Sequence, residues 1–405
     1  MDVEPYERFC DLGYAVIASI QTTSPEKAVT VMKLTCERAK FLSVFQPAAS
    51  VAPTRSPKPV LQNVKLEARP DKSALLATDL ELSVRVEVPG LEVEVPGDAL
   101  LPIGRVGGIL RESSDEKLSF ECDGRRLTVR GTTSQFNLPI ENPEDYPVVP
   151  TFHWSKYHEM PSRLFCEAIR RTIFATDAEN VRYALGGVLL ELGENEFIAV
   201  ATDGRRLTRQ QGPATAVNGH STLETTTVVP TRALQLLERV LSTIDDNVRI
   251  SAQENTMAVS CGQFVISTRL VEGRFPKWRE VFPRGEDMKK IDIPVGAFYG
   301  AIKQAAVVMD PERPRMEFTF GEGKVVIVGQ GAEFGESRVE VPIAYDQEPL
   351  SVIFDPRFLI EFFRVLDADV VCTVEIGDPE KAVLFTTNDG YAYIVMPLSR
   401  ERGGW

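Results

Sequence analysis

The feature that most constrains the fold of this chain is a pattern that recurs three times along its 405 residues. In each copy a strand-like segment ends at a proline and an amphipathic segment follows, and these prolines are Pro102, Pro230 and Pro356. Successive prolines are 128 and 126 residues apart, a period too long for a solenoid repeat. The sequence therefore predicts three whole domains of one fold in tandem.

Each predicted unit has the same order of elements. A strand and an amphipathic helix open it, a second helix follows the proline, and alternating strands close it. The opening segments are Lys33–Phe45, Ser162–Phe174 and Ile291–Met309. The pattern predicts an α+β fold class, with two helices packed on mostly antiparallel sheets in each copy. We place the domains at residues 32–150, 151–284 and 285–405.

Residues 1–31 stand apart from this repeat. The segment holds a short apolar run, Tyr14–Ile20, followed by a polar, turn-rich stretch, and nothing in the rest of the chain resembles it. We expect either a disordered extension or an upstream start codon, with translation beginning at Met32.

Composition and charge exclude several classes of protein. Six cysteines are scattered without a CxxC pair and only three histidines are present, so we expect neither a disulfide framework nor a bound metal, and no cofactor. No apolar run is long enough to span a membrane. These features favour a reducing, cytoplasmic location. The net charge of −13 argues against coating nucleic acid by bulk electrostatics, although a local basic surface remains compatible with it.

The predicted helices supply candidates for such a surface. Winding residues 163–174 at 100° per residue places Arg170 and Arg171 on the polar face, and Arg232 takes an outward position in the next helix. The repetition of net positive faces predicts a shared basic surface. We also expect proline at the first helical position, with Thr231 or Asp355 as the cap.

One predicted hairpin, Glu196–Gln210, carries the most distinctive residues. Two strand-like runs flank Asp203-Gly204, and we expect both turn residues to have positive φ. The same hexamer, DGRRLT, occurs at Asp123–Thr128, so turn chemistry alone accounts for the local pattern.

The sequence contains no convincing catalytic arrangement. It has no Walker loop, dinucleotide-binding glycine motif, GxSxG or HExxH, and we therefore expect a binding protein rather than an enzyme. His153 and His158 lack partners at metal-like spacing, and we assign them to an interdomain linker. Asp79 and Asp203 occupy equivalent repeat positions, which leaves an unrecognised hydrolase as one alternative. A scaffold that binds only protein is a second alternative.

Several stretches together carry a family resemblance. They are MKLTCER, VRYALGG, ATDGRRL, LVEGRFPKWREVFP and YIVMPLSR, in that order between Met32 and Arg400. The set resembles the bacterial DNA polymerase III beta subunit family, the sliding clamps. The resemblance implies a head-to-tail homodimer that closes into a six-domain ring around duplex DNA, with helices lining the hole. It also implies that the ring tethers the replicative polymerase and binds the clamp loader and repair proteins through short peptide motifs.

The resemblance assigns roles to individual residues. Positions that match family DNA contacts are Arg55, Lys58 and Tyr183, to which the basic helix faces add Arg170, Arg171 and Arg232. Positions that match subunit contacts are Phe136, Leu138, Val307 and Val308. Positions that match the peptide groove between domains two and three are Leu185, Thr202, Gly204, Arg205, Arg206, Leu207, Pro276, Val281, Tyr345, Ile394, Met396, Pro397 and Leu398.

The chain departs from the family pattern at a few of these places. Arg205 stands for a common histidine, Glu280 for a common arginine, and Leu398 and Ser399 for a methionine and an arginine. Glu179 replaces a polar amide near Tyr183, and Glu401–Trp405 extends past the usual end, beside the expected groove.

Overall fold

A computed structural model describes residues 32–152, 155–179, 183–283, 288–331 and 335–399. The predicted extension at residues 1–31 and the tail Glu401–Trp405 lie outside the described residues.

The three repeats contain the same series of helices and strands. The first consists of β1 (Met32–Glu37), α1 (Arg38–Ala49), β2 (Asn63–Ala68), β3 (Ala74–Thr78), β4 (Leu82–Glu87), β5 (Glu92–Val95), β6 (Gly97–Pro102), α2 (Ile103–Glu112), β7 (Lys117–Cys122), β8 (Arg126–Arg130) and β9 (Gln135–Pro139). The second consists of β10 (Tyr157–Pro161), α3 (Ser162–Ile173), β11 (Gly187–Leu192), β12 (Glu196–Thr202), β13 (Arg206–Pro213), β14 (Thr215–Val217), β15 (Val228–Pro230), α4 (Thr231–Leu241), β16 (Asn247–Gln253), β17 (Thr256–Cys261) and β18 (Phe264–Arg269). The third consists of β19 (Lys289–Pro294), α5 (Val295–Ala305), β20 (Met316–Gly321), β21 (Lys324–Gly331), β22 (Gly335–Pro342), β23 (Leu350–Phe354), α6 (Pro356–Arg364), β24 (Val371–Ile376), β25 (Val383–Thr386) and β26 (Tyr391–Val395).

The strands of each domain divide between two sheets, and all described pairs are antiparallel. One half-sheet of the first domain has the order β5-β1-β7-β8-β9, and the other has the order β4-β3-β2-β6. The second domain repeats this arrangement, and the third repeats it without a counterpart of β5. The prediction of an α+β fold with two helices and antiparallel sheets in each copy is confirmed.

Neighbouring domains share their sheets at two junctions. At the first junction β4 pairs with β18, which creates a nine-stranded sheet, and at the second β13 pairs with β26, which creates an eight-stranded sheet. In both cases the fourth strand of one domain meets the last strand of the next. The other two edges of this type, β9 and β22, have no strand partner among the described residues.

The core of each domain lies where its two helices pack on the sheets. Helix α6 shows why these segments fold as they do, because Leu359, Phe362 and Phe363 recur at helical spacing and are buried while Arg357 and Arg364 are exposed. The strands alternate buried and less buried positions in the same way. Burial of large side chains such as these contributes about 1.5–3 kcal/mol each.

The prediction of a proline at the first helical position holds for α6, which begins at Pro356, but is wrong for α2 and α4, which begin one residue after Pro102 and Pro230. Asp355 does cap α6, since its side chain accepts the N–H of Arg357, but Thr231 is the first residue of α4 and its hydroxyl donates to the carbonyl of Gly186 at 3.0 Å. Thr231 therefore links the start of α4 to the carbonyl of Gly186, and no described side chain caps this helix.

His158 is also not a linker residue. It lies in β10 and is completely buried, and its Nδ1 is 2.6 Å from Nδ1 of His220. Because Nε2 of His158 lies at the carbonyl of Gly193 and Nε2 of His220 accepts the N–H of Ala252, two neutral rings satisfy one another with a single proton between them. His153 lies outside the described residues.

Candidate functional site

The hairpin between β12 and β13 sits at the second junction. Its Asp203 carboxylate accepts the N–H groups of Arg205 and Arg206 at 2.9 and 3.0 Å, and the hydroxyl of Thr202 donates to the carbonyl of Arg206 at 2.6 Å. Gly204 has φ +86°, but Asp203 does not have positive φ, so the expectation for both turn residues holds only for the glycine. The aspartate builds the turn through its side chain instead.

The outward face of the shared sheet carries an apolar cluster beside this hairpin. Leu207 of β13 lies directly opposite Ile394 of β26, and both are buried. Leu185 joins the same cluster, together with Phe275 and Trp278 from the segment that follows β18. The predicted groove residues Leu185, Leu207 and Ile394 are thus brought together and form a floor.

Exposed and half-buried residues border this floor. Val281 and Met396 are both 44% exposed, which is high for large apolar side chains next to a buried cluster. The chain after β26 is fixed by two backbone bonds, since Met396 donates its N–H to the carbonyl of Arg205 at 3.0 Å and Leu398 donates to Ile353 at 2.8 Å. The other predicted border residues are exposed or half-buried: Gly204, Arg205, Pro276, Pro397 and Leu398.

Arg206 occupies a different position from the other predicted groove residues. Only 8% of its side chain is exposed, and its guanidinium donates to Asp203, to Glu361 of α6 and to the carbonyl of Phe174. The guanidinium carbon also lies 4.6 Å from the ring centroid of Phe358. Arg206 therefore joins the hairpin to helices of both domains and holds the groove in place from behind.

The charge of Arg206 is secured by these partners. Burial opposes its charged form, but Tyr393 and the carboxylates of Glu361 and Asp203 raise the pKa of Arg206 above its usual value. The pKa of Tyr393 is raised strongly by its own burial, so the phenol stays neutral and donates to the carbonyl of Phe358 at 3.0 Å.

The prediction that Arg171 faces outward is wrong. Only 5% of its side chain is exposed, and it bonds to Gln210 at 2.9 Å and to Asp389 of the third domain at 2.7 Å. Its guanidinium carbon lies 4.9 Å from the ring centroid of Tyr391, whose hydroxyl donates to the carbonyl of Arg171. The arginine joins two domains rather than presenting charge to a DNA backbone.

The other candidate DNA contacts lie nearer the surface. Arg55 and Lys58 are exposed in the loop after α1, and Tyr183 is 38% exposed. Arg170 and Arg232 are exposed as expected, but each is paired, Arg170 with Glu238 at 3.0 Å and Arg232 with Asp79. The basic helix faces are therefore partly neutralised by carboxylates.

Tyr345 does not belong to the groove cluster. It is buried in the core of the third domain, with its hydroxyl donating to the carbonyl of Glu348 at 3.2 Å. The aromatic side chain of that domain that reaches the hairpin is Phe358, through its contact with Arg206.

Sequence reasoning missed the residues that hold the second junction. Phe174, Phe358, Glu361 and Asp389 all contact Arg206 or Arg171, and their partners lie 32 to 218 positions away in the chain. Glu361 carried the only available signal, as an acidic residue in the middle of an otherwise basic helix face.

The predicted subunit contacts lie at the two open edges. Phe136 and Leu138 are in β9, where Phe136 is 38% exposed and Leu138 is buried. Val307 is 81% exposed and Val308 is half-buried, in a turn, Ala306–Val308, that packs beside β22.

The alternative of a hydrolase finds no support at the two aspartates. Asp79 and Asp203 lie in turns at different junctions, and each accepts backbone N–H groups and pairs with an arginine. Among the described residues, no group of three or more His, Cys, Asp or Glu side chains is arranged to hold a metal. Within the same part of the chain, no helix is both long and apolar enough to cross a membrane.

A three-domain chain with shared sheets, two open edges and an apolar groove at one junction has the architecture of a sliding clamp. Three family models match consecutive parts of the chain: the N-terminal domain of the DNA polymerase III beta subunit at residues 32–150, its central domain at 159–277 and its C-terminal domain at 279–399. The chain belongs to the bacterial DNA polymerase III beta subunit family, whose members act as processivity factors for that polymerase.

Individual relatives agree with this assignment. The beta sliding clamp of Caulobacter vibrioides is 27% identical over 380 residues, covering 91% of this chain and 100% of the relative, and that of Escherichia coli is 25% identical over 376 residues with the same coverage. A crystal structure of the Pseudomonas aeruginosa sliding clamp bound to griselimycin superposes with a TM-score of 0.83 at 26% identity, covering 91% of this chain and 99% of that one.

Proposed function

We propose that two copies of this chain close into a ring that encircles duplex DNA and tethers the replicative polymerase. The observation that carries the ring is the repeated junction. Twice within the chain, the fourth strand of one domain pairs with the last strand of the next, and among the described residues this leaves β22 and β9 without such a partner. Pairing β22 of one copy with β9 of another, twice, produces six domains and leaves no open edge of this type.

The two open edges carry apolar side chains that support this pairing. Phe136 on β9 is 38% exposed and Val307 beside β22 is 81% exposed. An exposed apolar side chain on or beside an unpaired strand favours association, and pairing with a second copy would bury it.

The solution mass tests the ring. We expect light scattering at micromolar protein to give twice 45.0 kDa. Val307→Glu should give a monomer, because an unpaired charge buried in the new interface costs several kcal/mol. Val148→Glu is the matched control, since Val148 is 94% exposed in the stretch after β9 and belongs to neither of the two edge strands. A monomeric wild-type protein would contradict the proposal.

The charge distribution supports sliding on DNA without sequence readout. Arg55 and Lys58 are exposed, while Arg170 and Arg232 share their charge with carboxylates. Phosphate contacts fix position but carry no sequence information, and each fully engaged cation adds to the salt-dependent affinity. Partial neutralisation of Arg170 and Arg232 keeps the affinity for phosphate weak enough for movement along the duplex.

The groove at the second junction is the proposed docking site for short peptides of the polymerase, the clamp loader and repair proteins. Its floor is apolar, its rim includes the adaptable side chain of Met396, and Gly204 leaves space for a peptide backbone. Burying one leucine and one aromatic anchor supplies about 3–6 kcal/mol before ordering costs. We assign no catalytic step to the chain.

Deleting residues 396–405 tests the groove. This removes Met396, whose N–H bonds to Arg205, and the chain that follows it along one side of the groove. We expect calorimetry to show loss of binding of a peptide with leucine and phenylalanine anchors, with the dimer preserved. Equal affinity of the truncated and intact proteins would contradict the assignment.

A further inference from the structure

Arg209 occupies an unusual place on the outward face of the shared sheet. It lies in β13, two positions after Leu207, so the two side chains are on the same face. Its direct cross-strand neighbours are Val200 of β12 and Ala392 of β26, both buried members of the groove cluster. A cation therefore stands within the apolar floor, about 7 Å from the row formed by Leu207 and Ile394.

The guanidinium of Arg209 has no hydrogen-bond acceptor or carboxylate partner among the described residues. Its Nε is buried and unbonded, and its guanidinium carbon lies 5.1 Å from the ring centroid of Phe282. Burial and the neighbouring charge of Arg279 lower the pKa of Arg209 from its usual value, although the side chain remains a cation at neutral pH. An unpaired, half-buried cation is costly and calls for an explanation in a chain of net charge −13.

Within the part of the chain that the structure describes, the nearby charged groups do not supply an anion for Arg209. Glu191 is engaged by Arg279 through two bonds of 3.0 and 2.6 Å and also accepts the indole N–H of Trp278 at 3.2 Å. Arg279 is thereby neutralised and stacks on Trp278 at 4.1 Å. Arg209, in contrast, has no carboxylate partner among the described residues.

We propose that Arg209 is an anion-binding subsite of the groove, which takes an aspartate or glutamate side chain of a docked peptide. This inference rests on the proposed docking function of the groove. The guanidinium presents a planar set of donors that matches a carboxylate, and the ring of Phe282 holds one side of that plane. The distance of about 7 Å from the Leu207 row is two residues of an extended peptide, so an acidic residue near an apolar anchor can reach it.

The test uses two peptides that share leucine and phenylalanine anchors. One carries aspartate and the other asparagine, and the substitution is scanned through the positions next to the anchors. Calorimetry on the wild-type protein should show about tenfold tighter binding of the aspartate peptide at one position, as expected for a charge-assisted hydrogen bond. Raising the salt concentration should reduce this advantage.

Two variants identify the residue responsible. Arg209→Met keeps an unbranched side chain against Phe282 without the charge, and it should bind both peptides equally. Arg239→Gln, at an exposed position of α4, removes the same charge elsewhere and should keep the tenfold difference. Equal binding of the two peptides by wild-type protein, or a difference that persists in Arg209→Met, would overturn the subsite alone. If wild-type protein binds neither peptide, the docking function of the groove fails as well.

Thermal unfolding without peptide supplies an independent result. Arg209→Met should raise the unfolding midpoint, because it removes an unpaired, half-buried charge. A midpoint lowered by several degrees would mean that Arg209 already has a stabilising partner in the free protein, and it would overturn the proposal.

Discussion

The two domain junctions within the chain have the same strand pairing but are secured by different chemistry. At the first, β4 pairs with β18, and the side chain of Arg232, which forms an ion pair with Asp79, is 57% exposed. At the second, β13 and β26 meet between two arginines, Arg171 and Arg206, that are 5% and 8% exposed.

The ion pairs at the two junctions join the same two elements, a turn of one domain and the second helix of the next, but from different positions and with the opposite distribution of charge. At the first junction the turn of one domain supplies Asp79, and the second helix of the next domain supplies Arg232, which also donates to the carbonyl of Val51 after α1. At the second junction the turn supplies Arg206, which donates to the carbonyl of Phe174 after α3, and the second helix supplies Glu361. The buried ion pair therefore holds the second junction, which carries the groove, in one geometry, whereas the exposed ion pair leaves the first junction tolerant of change.

The largest expected effect comes from breaking the buried version. Arg206→Ala leaves Asp203, Glu361 and the carbonyl of Phe174 without their donor, and it should cost about 3–5 kcal/mol of the free energy of unfolding. Urea unfolding monitored by Trp278, which lies in the groove cluster, measures this. A loss below about 1 kcal/mol would show that the pairing is no stronger than a surface salt bridge.

As the pH falls, the middle domain, which takes part in both junctions, should lose stability at a higher pH than the second junction does. Burial lowers the pKa of His158 and of His220, so the folded state holds both rings neutral and the unfolded state takes up protons first. The stabilisation is present above about pH 6.5 and is lost as the pH falls below it. Lys156, whose charge also disfavours the protonated form of His220, adds to this effect.

The second junction has its own acid-sensitive group at lower pH. Although burial alone would raise it, hydrogen bonds from Thr387 and Arg171 hold the pKa of Asp389 below its usual 3.8. Its contribution is lost only as the pH falls below about 4. The unfolding free energy of wild-type protein and of a His158→Gln, His220→Gln double variant, measured from pH 8 to 5, should diverge in slope near pH 6.5. Parallel curves would contradict the role of the pair.

A smaller effect is expected at the hairpin turns. Leu80 has φ +82°, the conformation that Gly204 adopts at +86° in the equivalent turn of the second domain. Leu80→Gly should stabilise the protein by up to about 1 kcal/mol because it relieves this strain, whereas Gly204→Ala should cost about 1 kcal/mol. Thermal unfolding of the two variants checks both signs, and a destabilised Leu80→Gly would mean that the exposed leucine packs against a partner.

The smallest effect is expected for Arg232, whose ion pair is exposed whereas that of Arg206 is buried. Arg232→Ala removes an exposed arginine from a salt bridge and should cost no more than about 1 kcal/mol, decreasing further at high salt. Urea unfolding at two salt concentrations measures it. A loss as large as that of Arg206→Ala would erase the distinction between the two junctions.

The sequence was sufficient for the architecture because the repeat exposes it directly. Equivalent prolines and alternating strands define the domain series, and the order of motifs leads to the family. Positions decided by contacts between distant parts of the chain could not be predicted in this way. The helical wheel placed Arg171 outward because it cannot represent Asp389 and Tyr391, which pack on that face from 218 and 220 residues away.

The positions of other predicted residues have the same physical origin. Tyr345, predicted for the groove from its place in the sequence, is buried in the core of the third domain, and the packing of α6 brings Phe358 to Arg206. His158 has its partner His220 62 residues away, across a loop whose path the sequence does not specify. Arg209 left no signal in the sequence, because its neighbours in β13 are Thr208 and Gln210, and only the paired strands show that it lies within the groove floor.

We propose that β22 of one copy pairs with β9 of another in the same way as at the two junctions within the chain, and that this pairing closes a ring around DNA. The most direct test is a retention assay. Labelled protein is loaded onto a nicked circular plasmid with a clamp loader, the complex is washed with high salt, and the plasmid is then cut once. A closed ring should stay on the circle through the salt wash and leave when the DNA is linearised, and Val307→Glu should not be retained on either form. Release by salt from the intact circle, or equal retention on circular and linear DNA, would contradict a closed ring around DNA.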